Sequence, residues 1–106
     1  MSGSFDDRRK GFESKWAHDA EAQFKIMARR NKLLGLWAAG ELGKTGDAAT
    51  AYAREVIAAD FEEPGDEDVF RKVRGDLPAG IADATIRHQM ADLLDLAAEQ
   101  VQGEAK

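Results

Sequence analysis

The chain has 106 residues, a formal net charge of −5 and no cysteine, which excludes disulfides and thiolate metal sites. Residues 1–32 hold eight Lys/Arg against five Asp/Glu, whereas residues 33–106 hold seven against fifteen. This acidic body argues against nucleic acid as a partner, because phosphate binding requires a dense basic face. No apolar run approaches the about 20 residues that cross a bilayer, so we expect no direct membrane insertion.

The first 17 residues predict a flexible N-terminal arm that is disordered or a nascent helix in the free protein. Large apolar side chains recur in the arm at helical spacing, at Phe5, Phe12 and Trp16. Gly11 weakens a helix by about 1 kcal/mol relative to Ala, and a helix of about 14 residues is marginal alone in water. We therefore expect stable helix to begin near His18.

The remaining chain, residues 18–106, predicts an all-α four-helix bundle with short connections. Alanine is frequent, β-branched residues are few, and no useful stretch alternates apolar and polar residues. Thr45, Asp66 and Asp83 are the predicted N-caps of the last three helices. The four helices are expected over residues 18–42, 45–60, 66–75 and 83–103.

Apolar residues at helical spacing predict a core that runs from residue 24 to residue 101. For the second helix the spacing allows two inward faces, one with Ala49, Tyr52, Val56 and Ala59, the other with Ala53 and Ile57. The core positions expected elsewhere are Phe24, Met27, Leu33, Leu34, Leu36 and Trp37 in the first helix, Val69, Phe70 and Val73 in the third, and Ile86, Met90, Leu93, Leu94, Ala97 and Val101 in the fourth.

Two motifs resemble ligand-binding loops but fit a helical connection better. AAGELGKT, residues 38–45, has a loose phosphate-loop pattern, yet such a loop must follow a strand and this one follows an expected helix. The acidic run at residues 62–68 lacks the residue order of a calcium loop. The two histidines, His18 and His88, have no accompanying ligand pattern, and no serine has a visible base partner. We therefore expect no metal site, no catalytic residue and no enzymatic activity.

Two features leave alternatives open. The basic cluster ARRNK, residues 28–32, fits a helix face paired with acids of other helices, or a site for an anion such as a nucleotide phosphate. The aromatic series of the arm either extends the bundle core or forms an apolar helix face that binds a groove on a partner.

Three segments are distinctive: FDDRRKGFESKWAHDAEAQFK, RRNKLLGLWAA and DEDVFRKV. They resemble the zeta subunit family, small inhibitor proteins of the F-type ATP synthase of alphaproteobacteria, and the resemblance covers nearly the whole chain. It implies a four-helix bundle whose N-terminal segment inserts into the catalytic head of the synthase. The insertion lies between a catalytic β subunit, an α subunit and the central γ shaft, where it stops ATP hydrolysis and affects synthesis much less.

The inhibitory segment of the family matches the residues from Phe5 to about Trp16. In this chain Lys10 extends a basic pair, which departs from the more acidic first turns common in the family. The partner-binding residues that the resemblance implies are the apolar anchors Phe5, Phe12 and Trp16 and the charge-matching contacts Arg8, Arg9 and Lys15.

The resemblance also implies weak binding of ADP or ATP in the bundle. Arg29, Arg30 and Lys32 are the residues that this sequence suggests for such a site, and no other cofactor is expected. The alternative function is therefore a helical bundle that senses ADP or ATP and regulates a partner. We expect a cytoplasmic protein that is monomeric when free and held at the inner membrane only through the ATP synthase.

Overall fold

A computed structural model describes residues 20–60 and 66–104, and all regular structure within these ranges is α-helical. The helices are α1 (Ala20–Glu41), α2 (Gly46–Ala59), α3 (Glu67–Asp76) and α4 (Asp83–Glu104). The predicted all-α four-helix bundle is confirmed, whereas the predicted arm lies outside the described residues. None of these four helices combines the length and apolar character that a bilayer span requires.

The turn between α1 and α2 ends the first helix with a Schellman motif. The Lys44 N–H donates to the Ala39 carbonyl at 2.8 Å, and the Gly43 N–H donates to the Gly40 carbonyl at 3.1 Å. Gly43 has a φ of 75°, a left-handed conformation that favours glycine. The segment before this turn is α-helix and not strand, so residues 38–45 do not form a phosphate loop.

The predicted N-caps are only partly correct. Thr45 and Asp66 occupy N-cap positions, but neither side chain bonds an N–H of its helix. Asp83 is the first residue of α4, and the carbonyl of Ala82 accepts from the N–H groups of Thr85 and Ile86. The Asp83 carboxylate instead accepts a hydrogen bond from Nη1 of Arg74 at 2.8 Å, so an ion pair replaces the predicted cap.

Helices α1 and α2 run antiparallel and approach each other closely at Gly35. A Cβ placed on Gly35 would stand 2.6 Å from the Cα of Ala53 and 3.3 Å from Cγ2 of Val56. No side chain fits at such a separation from backbone, so only glycine permits this helix crossing. Helix α4 packs on another side of α1, also antiparallel to it, because Ala22 and Ile26 at the start of α1 contact residues near the end of α4.

The core has two parts. The main cluster draws buried residues from all four helices and the loop after α3: Leu34, Ala38, Ala39, Tyr52, Val56, Val69, Phe70, Val73, Leu77, Ile86 and Met90. The smaller cluster joins only α1 and α4, through Ala22, Ile26, Ala97 and Val101. Most predicted core positions of α3 and α4 are therefore confirmed, and α2 uses members of both predicted faces, since it buries Tyr52, Ala53, Val56 and Ala59.

Two predicted core residues of α1 are wrong. Leu36 is 37% exposed and Phe24 is 59% exposed. Leu36 follows buried Leu34 by two residues, so it lies on the opposite side of the helix. Phe24 lies opposite Ala22 and Ile26, which face α4, and its side chain is only partly covered.

A hydrogen-bonded network ties α3 to α2. Asp76 Oδ2 accepts from Tyr52 Oη at 2.9 Å and pairs with Lys72 Nζ at 2.8 Å. The same Lys72 ammonium donates to Glu55 Oε1 of α2 at 2.8 Å. These contacts position the short α3 against α2 at the edge of the main cluster.

Replacing Gly35 with Ala is expected to lower the free energy of unfolding by about 1–3 kcal/mol, because the added methyl group forces α1 and α2 apart. Urea denaturation followed by circular dichroism measures the change. Gly40→Ala is the matched control on the same helix, since nothing lies within 4 Å of its added Cβ. That control is expected to be neutral or to stabilise by up to about 1 kcal/mol. Equal effects of the two substitutions would contradict the close crossing.

Candidate functional site

The predicted arm residues Phe5, Arg8, Arg9, Phe12, Lys15 and Trp16 lie outside the described residues. The structure does describe the end of the bundle that the arm precedes, because α1 begins at Ala20. At this end a groove runs between α1 and the end of α2, with a volume of about 260 Å³. The groove is lined by Gln23, Phe24, Met27, Ala28 and Asn31 of α1, by Ile57 of α2 and by Asp60.

The groove is apolar along α1 and polar where it meets the end of α2. Phe24, Met27, Ala28 and Asn31 follow the three- and four-residue spacing of one helix face. Phe24 is 59% exposed at the open end, while Asn31 is 1% exposed at the inner end. An apolar wall that ends in buried polar groups can accept a side chain with an apolar body and a polar tip.

A buried arginine lies behind the polar end of the groove. Arg30 is 1% exposed, and its Nε donates to Asn31 Oδ1 at 2.8 Å. Its Nη2 forms an ion pair with Asp66 Oδ1 at 2.9 Å, across the connection between α2 and α3. A charge buried this deeply is stable only when it is paired and hydrogen-bonded, so Arg30 holds this connection against α1.

The polar end of the groove groups carboxylates with the cation of Arg30. Asp60 accepts a hydrogen bond from the Asn31 side chain, and Asp66, Asp68 and the Arg30 guanidinium lie near it. Burial is the largest influence on Asp60 and raises the pKa of its carboxyl above the usual value. The two neighbouring carboxylates act in the same direction, against the opposing effects of Asn31 and Arg30.

The structure does not bring together the three residues suggested for ADP or ATP. The Arg29 guanidinium bonds α4, donating to Gln100 Oε1 at 2.8 Å and to Glu104 Oε1 at 2.8 Å. Arg30 is buried in its own pairs, and Lys32 is exposed. Successive residues of a helix point in different directions, which explains the divergence. Nucleotide binding by these residues stays a prediction.

Among residues 20–60 and 66–104 no group of three or more His, Cys, Asp or Glu side chains is arranged to hold a metal ion. His88 is exposed on α4, and His18 lies outside the described residues. Sequence reasoning did not single out Asn31 and Asp60, which form the polar end of the groove. The sequence feature that could have indicated Asn31 is its position one turn after Met27, on the apolar face of α1.

Comparison with known proteins identifies the family. The family model for the ATPase inhibitor subunit zeta matches residues 1–100. The chain belongs to this family. A solved structure with which this zeta-family chain is 55% identical, a solution NMR structure, superposes with a TM-score of 0.73. The similarity covers 77% of this chain and 96% of that chain. No curated protein sequence matches the chain.

The match places this chain among inhibitor subunits of an ATPase and extends over both the arm and the bundle. The resemblance to the zeta subunit family is therefore confirmed. An ATPase inhibitor subunit is a regulatory protein.

Substituting Arg30 with Met is expected to destabilise the fold by about 3–5 kcal/mol, because it leaves buried Asn31 and the neighbouring carboxylates without their cation. Arg29→Met is the matched control on the next position, and since its pairs are partly exposed we expect a loss of about 1 kcal/mol or less. Urea unfolding of both variants measures the difference. Similar losses would contradict the central role of Arg30.

Two aspartates are expected to affect stability with opposite signs. Asp60 has a raised pKa, so its ionisation disfavours the folded state as pH rises through that pKa, and Asp60→Asn should raise the urea midpoint at neutral pH. Burial acts to raise the pKa of Asp76, but hydrogen bonds from Lys72 and Tyr52 outweigh it and lower the pKa. Asp76→Asn should therefore lower the midpoint at neutral pH.

Both effects should shrink in acid, for different reasons. The folded chain binds a proton at Asp60 at a higher pH than the unfolded chain does, so the cost of ionising Asp60 is gone once the pH is below the unfolded aspartate pKa of about 3.9. Asp76 keeps its charge in the folded chain below that pH, and its contribution is lost as the pH falls through its lowered folded pKa. Urea titrations of the two variants and the parent protein over a series of pH values test the signs. A lower midpoint for Asp60→Asn at neutral pH would contradict the raised pKa of Asp60.

Proposed function

We propose that this zeta-family chain inhibits ATP hydrolysis by the F-type ATP synthase. The arm, residues 1–17, binds in the catalytic head at the interface of an α, a β and the γ subunit. The observation that carries the proposal is the extent of the family match, which includes the arm together with the bundle. The bundle serves as the body from which the arm is presented.

The residue pattern of the arm supports this role. Phe5, Phe12 and Trp16 recur at helical spacing, and basic residues flank them. Amphipathic helices bind grooves on partners through apolar anchors at such spacing. The core clusters of the described bundle are built from residues between Ala22 and Val101, so the four helices supply apolar partners for one another.

In the proposed mechanism, the arm binds one conformational state of the rotary ATP synthase. A segment that becomes ordered on binding loses conformational entropy at that step, which keeps the complex reversible. Binding between α, β and γ stabilises the closed state that fits the helix, and so stops the rotation that hydrolysis requires. Rotation in the synthesis direction opens that interface and releases the arm.

The same proposal defines the partners and the location. The chain acts without catalysis of its own, is monomeric when free, and is found in the cytoplasm or at the inner membrane through the ATP synthase. Its net charge of −5 agrees with a protein partner in preference to nucleic acid.

Replacing both Phe12 and Trp16 with Ala in the full chain is expected to raise the concentration required for half-inhibition of ATP hydrolysis at least about tenfold, because buried aromatic anchors dominate helix binding. The assay uses the isolated catalytic head with ATP, and ATP synthesis by energised vesicles is measured in parallel. The thermal transition of the double variant shows whether the bundle is intact.

Ser14→Ala is the matched control, since helical spacing would place Ser14 on the side opposite Phe12 and Trp16. It should inhibit as the parent protein does. Full inhibition by the folded double variant would disprove the role of the arm, and a parent chain that does not slow hydrolysis at all would disprove the proposed function.

A further inference from the structure

We draw no further inference here: the strongest candidate, the groove between α1 and the end of α2 that is lined by Phe24, Met27 and Asp60, has an apolar wall, but nothing in the structure shows what covers it.

Discussion

The close approach of α1 and α2 at Gly35 determines the arrangement of the other helices. Because the crossing leaves no space for a side chain, α2 lies directly against α1, and its Val56 and Tyr52 reach the main cluster from the side. The Schellman turn at Gly43 reverses the chain, so α2 returns antiparallel along α1. Since α2 has only 14 residues and α1 has 22, the start of α1 extends beyond its partner, which produces the groove and the exposure of Phe24.

The second constraint on the arrangement of the helices is the buried charge of Arg30. An arginine that is 1% exposed must find its partners within the protein, and Arg30 finds Asn31 on its own helix and Asp66 at the start of α3. The connection from α2 to α3 is thereby held against α1, where apolar packing alone would leave it loosely defined. The same arrangement places Asp60 close to Asp66 and Asp68, whose charges help to raise the pKa of its carboxyl.

The helices and the turn at Gly43 could be predicted from the sequence, because they depend on local spacing and on glycine conformation. The misassigned residues depend on partners that are distant in the chain. The sequence predicts Asp83 as an N-cap, but its carboxylate accepts a hydrogen bond from Arg74. Phe24 has core periodicity, yet periodicity does not report where a neighbouring helix ends. The basic cluster at residues 28–32 fits either an anion site or a helix face paired with acids, and the sequence could not show that α4 binds Arg29 and that Asp66 binds Arg30. The sequence therefore predicted the arm, but it did not predict the groove between α1 and the end of α2.

The division of the core into two clusters has a mechanical consequence. Tension applied to the chain before Ala20 enters the bundle at the smaller cluster, where Ala22, Ile26, Ala97 and Val101 hold α1 to α4. Two of these four side chains are alanine, so this end separates under less force than the four-helix end. We therefore expect the bundle to open first at the end to which the arm is attached, before the main cluster does.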